Sequence, residues 1–184
     1  AGVRHVVKVD TPDIPGSSPK HAGIAVCAET LDAAWEGREA LNVQWSQGEN
    51  PTLSTETVDR DLVSSLDKEG LSARDDGDSN AALEQAAKQI QAEYHLPYLS
   101  HATMEPMNCT VHVQPDRCDI WVPTQMQSRS FDAAVEITGL KPDQIHVNAT
   151  YLGCGLGRRA GIDFVEEAVQ ISKAVGEPVK VIWS

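Results

Sequence analysis

The sequence predicts an α+β fold of mixed β-sheets flanked by helices, and three observations lead there. Short β-branched or alternating runs recur along the chain, RHVVKV, NCTVHVQ and IHVNATYL among them. NCTVHVQ and CDIWV flank the tight turn PDR, the pattern of a hairpin, whereas other runs are separated by segments of helical spacing. Hydrophobic residues make up 41% of the 184 residues, enough for a packed core and too many for a disordered chain.

The first 48 residues read as strand, strand, helix, strand. RHVVKV is β-branched, and HAGIAVCA is a continuous apolar run of the kind a strand buried on both faces shows. Between them TPDIPGSSPK, with three prolines, is a loop. TLDAAWEGREAL is helical, with Thr30 at its N-cap and apolar positions at helical spacing. NVQWS alternates and closes this unit as a strand.

Residues 49–80 read as a linker and helical connection. STETVDRDLVSSLDKEG is a charged amphipathic helix ending at Gly70, and the turn-rich ARDDGDSN follows. A domain boundary belongs in this stretch.

Residues 81–184 form the second unit. NAALEQAAKQ is a short helix capped by Asn80. IQAEYHLPYL alternates like a strand, with Pro97 pointing to an edge position or a bulge. After the hairpin, TQMQSRSFDAAVEITGL opens on the capping-box spacing of Thr124 and Gln127 and stops at Gly139. IHVNATYL is a strand. GIDFVEEAVQISKAVG is a helix with acids first, Lys173 late and Gly176 as its stop, in accord with the helix dipole. PVKVIWS is a final strand that ends without cap or polar tail, which suggests an internal piece of a longer protein.

Composition excludes several functions. A formal net charge of −12 argues against unassisted binding to nucleic acid or anionic membranes, both of which need local positive charge. No apolar run approaches the length of a membrane span, so the chain is expected to be soluble. The four cysteines, Cys27, Cys109, Cys118 and Cys154, form no C-x-x-C pair and read as reduced thiols. Six scattered histidines give no metal motif, so a zinc or iron site made by this chain alone is not expected.

The stretch TYLGCGLGRRAGIDF, between a strand and a helix, is the main candidate site. Gly153 and Gly155 fit the start of a dinucleotide fingerprint, but Arg158 stands at its third glycine and no acid ends the next strand. A phosphate-binding P-loop also fails, because no G-K-[ST] follows. Glycines still permit close backbone approach, and free amides at a helix start favour an anion or polar cofactor. Arg158 and Arg159 add forked donors suited to phosphate or carboxylate. The competing reading is a tight structural turn with two solvated arginines, and the residues alone leave both open.

Three stretches, YLSHATMEPMNCTV, CDIWVPTQMQ and YLGCGLGRRAGIDFVEEAVQISKAVGEPVKVIWS, in this order and spacing resemble the molybdenum-binding large subunits of the xanthine oxidase family. Within it they are most similar to the isoquinoline 1-oxidoreductase beta-subunit type of aldehyde dehydrogenase. IAVCAETLDAAWEGREALNVQWS resembles the end of that family's α/β hammerhead domain. The resemblance implies residues 1–48 as a hammerhead-like segment and 81–184 as the first, truncated part of a molybdopterin-binding domain. It implies that Gly153, Gly155, Leu156, Gly157, Arg158 and Gln125 line a cofactor site. In the family's usual G-G-G-F-G loop, Cys154 replaces a glycine and Leu156 the phenylalanine. Glu105 looks like the family's motif acid, read with His101 as a hydrogen-bonded turn beside the site. No glutamine stands near Leu99, where many members have one.

The parent protein implied by this resemblance carries molybdenum as molybdopterin cytosine dinucleotide and oxidises N-heterocycles or aldehydes with oxygen from water. Its partner is a small iron–sulphur subunit, and its home is bacterial, in cytoplasm or periplasm. The family's catalytic glutamate lies in a downstream motif absent here, so no catalytic residue is assigned and the isolated chain is expected to be inactive. Apolar surface left by excision implies self-association. Two alternatives stay open: a free-standing nucleotide-binding module, and a subunit-docking piece without a ligand of its own.

Overall fold

The computed structural model describes residues 2–10, 22–48 and 50–183. The expected TPDIPGSSPK loop lies outside the described residues. These divide into two compact units, residues 1–41 with 99–184, and residues 42–98.

The larger unit contains two sheets. β1 (Val3–Val9) and β2 (Gly23–Ala28) pair antiparallel, Val9 opposite Gly23. β2 is half-buried rather than buried on both faces, because its sheet has only two strands and one helix packs on β2 itself. That helix is α1 (Leu31–Glu39), whose N-cap Thr30 accepts a hydrogen bond from the Ala33 amide at 3.2 Å, as its sequence predicts. Gly37 lets α1 approach closely: a Cβ there would meet Val3 Cγ2 at 2.6 Å and Val26 Cγ1 at 2.9 Å. NVQWS forms no strand, because no strand among the described residues pairs with it.

The second sheet has four strands in the order β5-β4-β3-β6, where β3 is Asn108–Val113, β4 Cys118–Val122, β5 Ile145–Ala149 and β6 Val179–Ile182. β3 pairs antiparallel with both β4 and β6, while β4 and β5 run parallel. This mixture is the expected α+β architecture. The β3–β4 hairpin closes with the Gln114 amide donating to the Arg117 carbonyl at 2.7 Å. α4 (Gln127–Thr138) supplies the crossover to β5 that a parallel pair requires, and α5 (Asp163–Val175) lies between β5 and β6 in sequence.

Both helices pack on one face of this sheet. Cys109, Val111, Ile120 and Val122 from the strands meet Phe164 and Val169 of α5, all at most 1% exposed. Ser172 locks α5 to the sheet, accepting from the Val113 amide and donating to the Glu177 carbonyl, each at 2.9 Å. Gly139 and Gly176 end α4 and α5 with φ of 74° and 73°, the left-handed conformation that favours glycine. The start of α4 departs from expectation. Thr124 and Gln127 make no capping box; Thr124 Oγ1 accepts from the Met126 amide at 3.0 Å, so the threonine turns the chain before the helix begins.

In the smaller unit, α2 (Thr55–Ser65) has a reciprocal Ser54–Thr57 capping box and stops before Gly70. α3 (Ser79–Glu84) is capped by Asp78 and not by Asn80, since the Asp78 carboxylate reaches the Ala81 amide at 2.9 Å. IQAEYHLPYL is irregular rather than a strand. No helix among the described residues is long and apolar enough to cross a membrane.

Gly37 tests the packing of the first layer. Alanine normally stabilises a helix interior over glycine by about 1 kcal/mol. Gly37→Ala should instead destabilise the protein by about 1–2 kcal/mol through overpacking against Val3 and Val26, read from denaturant unfolding.

Candidate cofactor site

The candidate site is organised by Arg159, whose side chain is fully buried. Its guanidinium donates to the Cys154 carbonyl at 2.9 Å, the Glu105 carbonyl at 2.7 Å, and the Pro106 and Pro123 carbonyls at 3.4 Å. It also forms an ion pair with Glu105 Oε2 at 3.1 Å. Its own carbonyl accepts from the Gln125 amide at 3.1 Å and from Thr124 Oγ1 at 3.2 Å. One side chain thus draws together the turn before β3, the turn after β4 and the glycine loop. A buried guanidinium is tolerated only when its donors are satisfied, and carbonyls at three turns do this.

Glu105 makes the second tie. It accepts from the Gly153 amide at 2.7 Å and from Asn108 Nδ2 at 2.9 Å, while its own amide donates to the Gly153 carbonyl at 3.0 Å. Partial burial opposes its ionisation. Hydrogen bonds from Asn108 and Gly153, with the charges of Arg159 and Lys180, outweigh that and hold its carboxyl below the usual glutamate range. Gly153 is needed here because a Cβ would stand 2.9 Å from Glu105 Cβ and 3.0 Å from its Oε2. His101 is exposed and stands apart from this network, as does Leu99.

The loop itself is strained. Cys154 has φ of 84° and Leu156 φ of 51°, and Gly157 follows with 90°. Residues 155–158 close a turn through the Arg158 amide and the Gly155 carbonyl at 2.9 Å, with positive φ at both central residues. For a non-glycine residue this conformation costs about 1–2 kcal/mol. Gly155 sits against the Gln125 side chain, whose Oε1 would be 2.8 Å from a Cβ there.

Among the described residues, the amides of Cys154, Gly155, Leu156 and Gly157 donate no hydrogen bond, and Leu156 and Gly157 are exposed. Successive unpaired amides in a left-handed turn form an anion-binding concavity. Gln125, exposed beside Gly155, adds a side-chain amide to the same rim.

Arg158 has other partners. It binds Asp163 through both oxygens, at 2.9 and 2.6 Å, and lies 5.0 Å over the Trp183 ring. Neither arginine is therefore a solvated side chain; one is internal and the other is paired at the start of α5. Trp183 Nε1 donates to Glu167 Oε2 at 2.9 Å. Burial pushes the Glu167 carboxyl up to about 7, aided by the charges of Asp163 and Glu166 and opposed by Trp183 and Arg158.

Other groups take no part. Burial pushes the Cys109 and Cys118 thiols up, Cys118 to about 11 with help from Asp119, so both stay protonated and inert at neutral pH. The cysteines among the described residues are free thiols, and no cluster there could hold a metal ion. The structure brings Gln125 against the glycine loop, whereas the burial of Arg159 has no signal in the sequence. The adjacent pair of arginines gives no sign of which one turns inward.

The chain belongs to the molybdopterin cofactor-binding domain family, which residues 65–184 match. It is 27% identical over 177 residues to isoquinoline 1-oxidoreductase subunit beta of Brevundimonas diminuta, an alignment covering 88% of this chain and 22% of that protein. It is 28% identical over 163 residues to the membrane-bound aldehyde dehydrogenase [pyrroloquinoline-quinone] of Gluconacetobacter polyoxogenes, covering 86% and 21%. The chain thus spans about a fifth of the length of these curated relatives.

Solved structures show the same fold. Quinoline 2-oxidoreductase of Pseudomonas putida 86 superposes with a TM-score of 0.67 at 18% identity, covering all of this chain and 27% of that one. The Cu,Mo-CO dehydrogenase in its carbon monoxide reduced state gives 0.62 at 18% identity, covering 100% and 28%.

Two predictions follow from the geometry. Arg159→Met should destabilise the protein by about 3–5 kcal/mol, because it strands buried carbonyls and the Glu105 charge. Arg158→Ala, which removes a partly exposed guanidinium from the buried Asp163 carboxylate, should cost less, about 2–3 kcal/mol; denaturant unfolding of both variants measures the difference. The second concerns pH. Between the ordinary glutamate range and about 7 the folded protein holds a proton on Glu167 that the unfolded chain releases. Stability should therefore fall as pH rises from about 4.5 to about 7, and Glu167→Gln should flatten that slope in thermal unfolding.

Proposed function

We propose that this chain is a fragment of the molybdenum-cofactor-binding subunit of a hydroxylase that oxidises N-heterocycles or aldehydes. The family membership of residues 65–184, together with the open amide rim at 154–157, supports this reading above the others. Residues 1–48 are the end of a hammerhead-like unit, 49–80 a connection, and 81–184 the first molybdopterin-binding domain. The cofactor is molybdopterin as its cytosine dinucleotide, and the electrons leave through a small iron–sulphur subunit.

Bound there, the group supplies transfer of oxygen from water to carbon and takes up two electrons. The protein's share is positioning. The loop amides of Leu156 and Gly157 would hold the group, and the Gln125 carboxamide would help to orient it from the neighbouring turn. Gly153 and Gly155 admit Glu105 and Gln125 against the loop, and Gly157 completes its turn. Leu156, exposed at the turn's tip, forms an apolar wall toward substrate and excludes water, without the aromatic stacking a phenylalanine would give. Arg158 holds the following helix start in place through Asp163. The base that activates water comes from outside residues 1–184, so this chain alone is inactive.

The nucleotide-binding alternative keeps its glycine turn but loses one support, because both arginines offered as phosphate ligands are occupied by internal partners. The protein captured from its native host should be several-fold larger than 19.9 kDa and contain about one molybdenum per chain with an iron–sulphur partner. A metal-free polypeptide of this size, or one that binds a dinucleotide in isolation, would reject the assignment.

A further inference from the structure

Residues 42–98 contain two helices and one continuous alternating segment, yet none of their described residues is buried. The helices are well specified locally. α2 has both halves of its capping box, and Val58, Leu62 and Leu66 align along one face at helical spacing. Leu62 and Leu66 are exposed. From Ile90 onward the even positions read Ile90, Ala92, Tyr94, Leu96, Tyr98, and the odd ones Gln91, Glu93, His95, Pro97. This is the period of a half-buried strand. In the structure the segment has no ladder partner, and Tyr94, Leu96 and Tyr98 are 87%, 85% and 81% exposed.

Local sequence and local surroundings therefore disagree over more than fifty residues. Soluble monomers rarely leave apolar faces of this kind in water, and an unpaired strand edge is a template for addition of another strand. The disagreement disappears if the missing half of the layer is present.

Two facts choose the occupant. The chain spans 22% of the isoquinoline 1-oxidoreductase relative and 21% of the aldehyde dehydrogenase relative, so most of such a polypeptide is available to cover this unit. A second copy is disfavoured by charge. Residues 42–98 hold eleven of the acids and four of the bases, a net of −7 out of the whole chain's −12, and pairing two such units brings like charges together.

We propose that residues 90–98 are a β-strand completed by strand addition from a segment of the same, longer polypeptide, with neutral or basic residues beside it. Pro97 fixes which edge is used. Successive residues direct their N–H groups to opposite edges, and Pro97 has none to give on the edge of Gln91, Glu93 and His95. The added strand pairs along the other edge, through the backbone of Ala92, Tyr94, Leu96 and Tyr98. The apolar face of α2 is covered by the same part of the polypeptide.

This inference takes the chain to be part of a longer protein but does not depend on its cofactor. Residue-resolved hydrogen exchange on the full-length native polypeptide tests it, with molybdenum assayed on the same sample. The amides of Ala92, Tyr94, Leu96 and Tyr98 should exchange at least about 100-fold more slowly than an unstructured peptide, independently of protein concentration, while those of Gln91, Glu93 and His95 stay fast. Free exchange at all positions overturns the proposal. So does protection confined to the odd positions, protection that appears only as the protein dimerises, or a native polypeptide that ends at Ser184. Protected even positions in a molybdenum-free protein would uphold the strand and reject the cofactor.

Discussion

The arrangement of the larger unit turns on the burial of one cation. Arg159 has no exposed surface, and its guanidinium is surrounded by carbonyls from residues 105, 106, 123 and 154 and by one carboxylate. Desolvating such a group costs several kcal/mol unless its donors are met, so each carbonyl must arrive in position for any to be worth meeting. That requirement makes three turns into one rigid object. The strands fix the bases of the turns and the arginine fixes their tips.

The glycine loop shows the complementary constraint. Its side chains do little of the internal bonding; its backbone does most of it. Gly153 is held by Glu105, Cys154 offers its carbonyl inward to Arg159, and the following turn places two residues at positive φ. With these carbonyls committed to the interior, Leu156 and Gly157 are left exposed at the tip of the loop. The strain at Cys154 and Leu156 is a consequence of that orientation, and the surrounding clamp is what sustains it. Preorganised donors of this kind need no rearrangement to receive a ligand.

Much of the fold was legible because it rests on local signals. Thr30, Gly139 and Gly176 mark helix ends by their own chemistry, and PDR marks the hairpin by its length. The structure departs from the local pattern where the outcome depends on distant partners. NVQWS and IQAEYHLPYL alternate like strands, but a strand exists only if another strand lies beside it. Thr124 and Gln127 have the spacing of a capping box, yet the Thr124 hydroxyl is drawn toward Met126 and Arg159. Of the site, the glycines and Gln125 could be read from the sequence and its resemblance, whereas the opposite fates of two adjacent arginines could not. Direction of a side chain is decided by what folds against it.

The clamp also has an order in time. A chain made from its N-terminus presents Glu105, Pro123 and Cys154 before Arg159, so every acceptor is synthesised before the donor that unites them. Until residue 159 emerges, the loop has no reason to hold its left-handed shape. β6, which borders β3, comes later still. The loop's left-handed shape is thus fixed only after the strands beneath it, and a chain halted within the glycine loop would carry β3, β4 and β5 without the clamp.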